Sequence, residues 1–272
     1  MKKSLFVSLA LASALFTPTI TRSQFATGVR AYTQGSGANP SYNNPTVALG
    51  APSQVTPGPF GGPIDPFDPP YLSSQIVGLG TGGSLTLHFD TPILNDSSHL
   101  YGLDFIVFGH SGFNITNGDY SGGGITDGSF FTGGTSTSRI SVSADGVTFY
   151  TLNPSLAPQV DGRFPTDSTG SPFVPVNPSL TQSDFAGQGL SGIRALYAGS
   201  DGGMGFDLSM AQDGLGNSVL LPVANYVRID VLSDVAYIDA VSVVPEPGVG
   251  TLVTVAGLAW ICTKWRRDAK RI

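Results

Sequence analysis

The sequence predicts an all-β protein, a jelly-roll-like β-sandwich placed between an N-terminal signal helix and a C-terminal transmembrane helix. The middle of the chain has short apolar runs separated by Gly, Pro, Asn and Asp, and it has no helical periodicity. Each end of the chain is an apolar run beside basic residues. The single cysteine, Cys262, lies in the C-terminal run, so the central domain has no disulfide and depends on a hydrophobic core.

Residues 1–23 have the layout of a secretory signal peptide. Lys2 and Lys3 form a basic start, the run from Ser4 to Phe16 is apolar, and small polar residues lead to Ser23. An apolar run of this length is typical of a cleaved signal rather than of a membrane span. We therefore expect export through the Sec machinery and cleavage after Ser23, with an uncleaved N-terminal anchor as the alternative.

Residues 24–244 form the predicted β-sandwich, and two of its segments have clear strand patterns. The segment Ser84 to Asp90 alternates, which predicts a core face of Leu85, Leu87 and Phe89. The segment Leu103 to Phe108 is a continuous apolar run, which predicts a central strand that is covered on both sides.

Two further pairs of strands are expected to be hairpins. Asp145-Gly146 separates Arg139–Ser143 from Val147–Tyr150 and predicts a type I′ turn. Ser233-Asp234 separates Tyr226–Val231 from Val235–Val243, which we expect to pair with each other. The Gly- and Pro-rich stretches between the strands are predicted to be loops, where binding sites usually lie.

Residues 245–272 are predicted to be a membrane tail. The run from Val249 to Trp265 has Lys264 as its one charge and, as a helix, is just long enough to cross a hydrocarbon core. A basic flank follows, which favours a cytoplasmic stop and an outward-facing ectodomain; it consists of Arg266, Arg267, Lys270 and Arg271. A buried helix at the end of the domain is the alternative.

The charge of the ectodomain excludes one class of partner. Residues 24–247 contain five Arg and no Lys against seventeen Asp and one Glu, a net charge of −13. Phosphate backbones would be repelled by such a surface, so we expect no nucleic-acid binding. Cations and neutral polymers are electrostatically permitted partners.

The order of features at the C-terminus resembles the PEP-CTERM sorting signal of Gram-negative, biofilm-forming bacteria. Val244-Pro245-Glu246-Pro247 is followed by the apolar run and then by the basic flank. The resemblance implies that an exosortase, a membrane-embedded protease, recognises Pro245, Glu246 and Pro247. The tail would then be removed, and the protein would be delivered to the cell surface or to the extracellular matrix.

The ectodomain resembles a discoidin-like jelly roll of bacterial cell-surface proteins. The resemblance is carried by six motifs in order, namely Asn44-Pro45 with Ala48 to Pro52, Gly82 to Leu87, Asp104 to Phe108, Val142 to Phe149, Phe206 to Leu208 and Ile238 to Val241. It implies a fold more than a ligand. At Gly109-His110 the sequence departs from the acid or Gly before Asn that such proteins often have.

The excess of Asp over Glu suggests a metal, because calcium prefers carboxylate and carbonyl oxygens in irregular loops. The candidate calcium ligands flank apolar strands, and they are Asp104, Asp201, Asp207 and Asp239. The alternative is turn chemistry, in which Asp side chains cap loops. The three histidines, His88, His99 and His110, are spaced by eleven residues and give no metal signature.

Patterns for catalysis are weak. Gly78 to Gly83 fits the dinucleotide fingerprint, but a strand pattern follows it instead of a helix. Gly109 to Phe113 lacks the last glycine of a nucleophile elbow. A Ser-His-Asp triad stays open because Ser and Asp are abundant, and a glycosidase would need two Asp, since Glu246 belongs to the sorting motif.

The leading hypothesis is a non-enzymatic surface or matrix protein that contacts extracellular polysaccharide. Aromatic loop residues could stack on sugars, and these are Tyr71, Tyr101, Tyr120, Phe130 and Phe131. The alternative is an extracellular carbohydrate-active enzyme, a glycosidase or a lyase. A shallow face would favour binding, whereas a deep cleft with two convergent carboxylates would favour catalysis.

Overall fold

The computed structural model describes residues 23–246 except 60, 154–159 and 162. The predicted signal helix, the transmembrane helix, Pro247 and the basic flank lie outside the described residues. Within the described part of the chain, no helix is both long enough and apolar enough to cross a membrane.

The protein is mostly β, as predicted, and its strands pair antiparallel. The strands are β1 Gly28–Thr33, β2 Val77–Leu79, β3 Ser84–Leu94, β4 Phe105–Gly109, β5 Gly112–Phe113, β6 Phe130–Thr132, β7 Thr137–Ser143, β8 Tyr150–Leu152, β9 Met204–Phe206, β10 Ala211–Gln212, β11 Val223–Ser233 and β12 Ala236–Val243. One sheet has the order β1-β3-β11-β7-β8-β10, the second has the order β2-β12-β4-β9, and β5 pairs with β6. The helices are short, α1 Gln182–Phe185 and α2 Leu190–Tyr197, with 3-10 turns at Pro45–Ala48, Leu100–Gly102 and Leu208–Met210.

The hydrophobic core lies between the two larger sheets. Leu85, Leu87 and Phe89 of β3 are buried, which confirms the predicted core face of that strand. They belong to one apolar cluster with side chains of the second sheet, including Phe105 and Val107 of β4. This shared core is consistent with an all-β sandwich.

Strand β4 is covered on both sides, as its continuous apolar run predicts. Phe105 and Val107 face the main core, whereas Ile106 and Phe108 form a second buried cluster with Ala240 and Val244. Side chains alternate along a strand, so successive residues of β4 fill two separate apolar layers. The strand is therefore a rigid support for the residues that flank it.

The hairpin predicted around Asp145-Gly146 is confirmed, but the predicted type I′ turn is wrong. Strands β7 and β8 pair antiparallel, with Val142 opposite Tyr150. Of the predicted turn pair, Gly146 alone has a positive φ, 72°, whereas a type I′ turn needs two such residues. The Asp145 carboxylate instead accepts hydrogen bonds from the backbone of Val147 and Thr148, which makes a longer loop and delays β8.

The pairing predicted between the last two strands is wrong. Strand β11 pairs with β3 and β7, whereas β12 pairs with β2 and β4 in the other sheet. Asp234, which has a φ of 63°, lies in the turn between them. Both edges of each strand are already occupied, so this turn carries the chain across the core instead of closing a hairpin.

The glycines of Gly78 to Gly83 serve chain packing. A Cβ at Gly80 would overlap the carbonyl oxygen of Ser36, and one at Gly83 would overlap that of Gln34. Strand β3 follows, as predicted, so the helix N-terminus that a nucleotide site requires is missing at this position.

Helix α2 is a feature that the sequence patterns did not predict. It has eight residues and buries Ile193 and Tyr197, four positions apart. Two turns supply one such pair, which is too little to stand out as a helical period. The helix supports a surface loop that is described below.

Candidate functional site

The four Asp residues predicted to bind calcium do not form one cluster. Asp104 and Asp207 lie near each other, since the Asp104 backbone donates a hydrogen bond to the carbonyl of Phe206. Burial raises the pKa of Asp104, and the charge of Asp207 raises it further. Asp201 and Asp239 lie elsewhere, beside the consecutive residues Gln54 and Ser53 respectively.

The surroundings of these carboxylates differ. Both oxygens of Asp239 accept hydrogen bonds from Ser53, at 2.8 Å each, and burial raises the pKa of Asp239 to about 7. Burial also raises the pKa of Asp201 to about 6. Asp207 accepts from the backbone of Ser209, which is the turn chemistry that the sequence left as the alternative. Calcium binding by these residues stays a prediction.

A cluster that the sequence patterns missed surrounds His99. Its side chain is 1% exposed, and its Nδ1 lies 2.8 Å from Oδ1 of Asp104, which is fully buried. An ionised carboxylate only accepts hydrogen bonds, so the neutral form of the ring carries its proton on Nδ1 and presents a lone pair at Nε2. The Nε2 atom has no hydrogen-bond partner among the described residues.

Two carboxylates face this nitrogen. Oε1 of Glu246 lies 3.5 Å from Nε2, and ligand atoms of Asp96, His99 and Glu246 all lie within 4.8 Å of one another. A hydrogen bond with Asp96 is the largest of the effects that raise the pKa of Glu246. Three hydrogen-bond acceptors, the His99 nitrogen and the Asp96 and Glu246 carboxylates, thus lie together. A proton or a metal ion between them would be bound favourably.

Two elements position the cluster. On one side, the His99 backbone bonds to the carbonyl of Asp96, and Tyr101, with a φ of 60°, turns the chain towards β4. On the other side, the Val244 backbone donates to the carbonyl of Asp104 at 2.9 Å, which brings Glu246 alongside. The left-handed conformation of Tyr101 is a strained one for a residue with a side chain.

A second histidine–aspartate pair, with a half-buried His110 and a fully buried Asp161, lies at the other end of β4. Nδ1 of His110 is 2.9 Å from Oδ2 of Asp161, and its Nε2 is 2.6 Å from Oγ1 of Thr132. Asp161 also accepts hydrogen bonds from the backbone of His110 and of Tyr237. The Asp–His–Thr chain has the connectivity of a nucleophile, a base and an orienting acid.

Gly109 is required by this second pair. A Cβ at Gly109 would lie 2.5 Å from Oδ1 of Asp161. The absence of a side chain therefore lets the Asp161 carboxylate approach the backbone of His110 closely. The motif Gly109 to Phe113 runs from β4 into β5, so the strand-to-helix turn of a nucleophile elbow is missing here, as predicted.

An open depression of about 680 Å³ lies at the start of α2. It is lined by Gly122, Gly123, Gly124, Ile125, Gly189, Leu190, Ser191 and Arg194. Arg194 donates two hydrogen bonds to the buried carboxylate of Asp167, at 2.7 and 3.0 Å, which balances its charge. Tyr120, which is 80% exposed, lies in the same glycine-rich loop as the lining residues.

No protein-family model matches the chain, and no curated protein matches it significantly. The site residues therefore have to be judged by their geometry. The local spacing Asp96-x-x-His99 is a signal for the first cluster, but Glu246 is distant in sequence and belongs to the predicted sorting motif.

Proposed function

We propose that the protein is exported by the Sec machinery, sorted by an exosortase and retained at the cell surface or in the extracellular matrix. Its domain would be a discoidin-like jelly roll that binds extracellular polysaccharide without catalysis. The C-terminal helix would hold the chain in the membrane until the tail is removed. This reading gives each of the three segments of the sequence a role.

The observation that carries the proposal is the place where the folded domain ends. Strand β12 ends at Val243, Val244 is buried, and Pro245 and Glu246 are exposed. The first two residues of the predicted sorting motif therefore lie at the surface, directly after the last strand. Accessible peptide of this kind is what a processing protease requires.

The depression beside α2 supports the binding part of the proposal. It is open, its lining is rich in glycine backbone, and its one charged lining residue, Arg194, is paired. Backbone amides and small apolar side chains suit hydroxyl groups and the apolar faces of neutral sugars. Tyr120 offers an exposed ring for stacking at the same loop.

Sorting is tested in cells that have an active exosortase. The full chain should lose its tail and leave the membrane fraction, whereas the double variant P245A/P247A should stay membrane-bound at full length. Glu246 is left unchanged in this test because it also contacts His99. A wild-type chain that stays unprocessed would refute the sorting.

Binding is tested with the full chain in detergent on beads that carry neutral or acidic polysaccharide. Tyr120→Ala should reduce retention on neutral beads about fivefold, since loss of sugar stacking on one ring costs roughly 1 kcal/mol. Leu220→Ala removes a side chain that is 89% exposed on another loop and should change nothing. Retention that is equal for wild type and Tyr120→Ala would contradict the assigned surface.

The Asp161–His110–Thr132 chain favours one second candidate, an extracellular ester hydrolase acting on acylated carbohydrate. His110 would accept the Thr132 hydroxyl proton while Oγ1 attacks the ester carbonyl, and it would pass that proton to the sugar oxygen as the ester C–O bond breaks. Water would then hydrolyse the acyl group from Thr132 and free the carboxylic acid. Thr132→Val should then abolish cleavage of chromogenic acetyl esters of sugars. No cleavage by the wild-type chain would reject this candidate.

A further inference from the structure

The His99 cluster contains a buried nitrogen that the protein itself does not satisfy. Nε2 of His99 has no hydrogen-bond partner among the described residues, although the side chain is 1% exposed. Leaving such a group unpaired costs free energy, so buried polar atoms normally have a partner. The atom points towards Asp96 and Glu246, which supply oxygen ligands.

The spacing of these atoms suits a small ion. Two ligands that are each about 2.0–2.1 Å from a tetrahedral zinc ion lie roughly 3.4 Å apart. The distance from Nε2 of His99 to Oε1 of Glu246 is 3.5 Å. Asp96 completes a set of three within 4.8 Å, so small side-chain adjustments close the site.

The residue behind His99 has the role that metal sites require. Metal-binding histidines usually donate their second N–H to a carboxylate, which fixes the tautomer and the direction of the ring. Asp104 accepts this N–H and is itself held by the backbone of Leu208 and Asp96, at 2.8 and 3.2 Å. The ring is therefore fixed with its lone pair facing the two carboxylates.

We propose that Asp96, His99 and Glu246 bind a divalent transition-metal ion, zinc fitting the ligand set best. One imidazole nitrogen and two carboxylates are common zinc ligands, with a fourth position for water. Calcium is disfavoured, because it takes six to eight oxygen ligands and has little affinity for imidazole. The predicted calcium ligand Asp104 supports the site from behind rather than facing the ion.

The site joins an interior loop of the domain to the peptide that follows its last strand. Asp96 and His99 lie between β3 and β4, whereas Glu246 follows β12. A bound ion would therefore fasten the peptide that leaves β12 to the loop before β4. This inference does not depend on sorting or on polysaccharide binding, since it concerns only metal affinity.

The test is a zinc titration of the purified full-length chain in detergent, after treatment with a chelator, against a chromogenic zinc indicator. One equivalent should bind, cobalt should give the absorption bands of a tetrahedral site, and excess calcium should displace neither ion. Glu246→Gln and Asp96→Asn should each weaken zinc binding about tenfold or more, because each removes a ligand. Circular dichroism checks that both variants fold.

The chain offers a matched control. His88 and Asp90 form a much less buried pair, with Nδ1 3.7 Å from Oδ1 and side chains that are 36% and 62% exposed. His88→Gln and Asp90→Asn should leave the zinc affinity unchanged. The proposal is overturned if wild type binds no more zinc than Glu246→Gln, if the control variants lose as much affinity, or if calcium displaces zinc at equal concentration.

Discussion

His99, which is buried, and His110, which is half-buried, flank β4 and have the same kind of partner at Nδ1 but different surroundings at Nε2. Each has its Nδ1 within 2.9 Å of a fully buried carboxylate, Asp104 for His99 and Asp161 for His110. At His110 the second nitrogen meets the hydroxyl of Thr132 at 2.6 Å. At His99 the second nitrogen has no hydrogen-bond partner among the described residues and faces two carboxylates.

We call the His110 site closed, because both ring nitrogens have partners within the protein, and the His99 site open, because Nε2 has none among the described residues. A hydroxyl both donates and accepts, so Thr132 completes the hydrogen bonds of His110 without any external group. Ionised carboxylates only accept hydrogen bonds. Asp96 and Glu246 therefore cannot provide a partner for the lone pair on Nε2 of His99 unless a cation or a proton is added. The histidine–aspartate pair is therefore a shared support, and the third group decides what each site can bind.

The largest effect is expected from removing the shared support. Asp104→Ala and Asp161→Ala each remove a fully buried carboxylate and leave three buried or partly buried donors without an acceptor. Each should lower the free energy of unfolding by about 3–5 kcal/mol. Urea denaturation measures the loss, and the exposed control Asp90→Asn should change it by no more than about 0.5 kcal/mol. A loss of stability below about 3 kcal/mol in either variant would show that the carboxylate is not a shared support of the two histidines.

Asp239 is a buried carboxyl group that has no histidine partner, and its effect on stability should depend on pH. Burial raises the pKa of Asp239 to about 7, from 3.8 in the unfolded chain. The folded state thus holds the proton more tightly, so this contribution is full below pH 4 and is lost as the pH rises towards 7 and above. The loss is roughly 4 kcal/mol, and Asp239→Asn should flatten it in urea denaturation at pH 4, 6 and 8. An unchanged pH profile in the variant would contradict this assignment.

Zinc should stabilise the protein through the open site alone. At a free zinc concentration one hundred times the dissociation constant, the free energy of unfolding should rise by about 2.7 kcal/mol. Glu246→Gln should lose most of this gain, whereas Thr132→Val, which changes the closed site, should keep it. Equal gains in wild type and Glu246→Gln would place the ion elsewhere.

The smallest effect is expected at the closed site. Thr132→Val removes the hydroxyl that bonds to His110 and keeps the shape of the side chain. The free energy of unfolding should fall by about 1 kcal/mol, the usual value of one hydrogen bond. In the absence of zinc, Glu246→Gln should change the free energy of unfolding by less than this, because the Glu246 side chain is 47% exposed. A larger loss in Glu246→Gln would mean that His99 is satisfied by this residue already.

The parts of the fold that depend on local pattern could be predicted from sequence. The core face of β3 and the two-sided burial of β4 follow from side-chain alternation within a single strand. The partners of β11 and β12 could not be predicted, because pairing is decided by strands distant in sequence. The membrane segments and the sorting motif stay predictions.

The candidate sites show the same division. A carboxylate beside an apolar strand marks Asp104 as a candidate ligand in the sequence, and the structure shows that it accepts a hydrogen bond from His99. The contact of His99 with Glu246 was hidden, since it joins the loop before β4 to the end of β12. Thr132 is one of many hydroxyl residues, so nothing in the sequence marks it as the partner of His110.

Nitrogen-detected NMR of the histidine side chains tests the central claim most directly. In the zinc-free full-length chain, both His99 and His110 should carry their proton on Nδ1. One equivalent of zinc should shift the Nε2 resonance of His99 and leave that of His110 in place. A His99 resonance that does not respond to zinc, or one that moves no more than that of His110, would contradict the account.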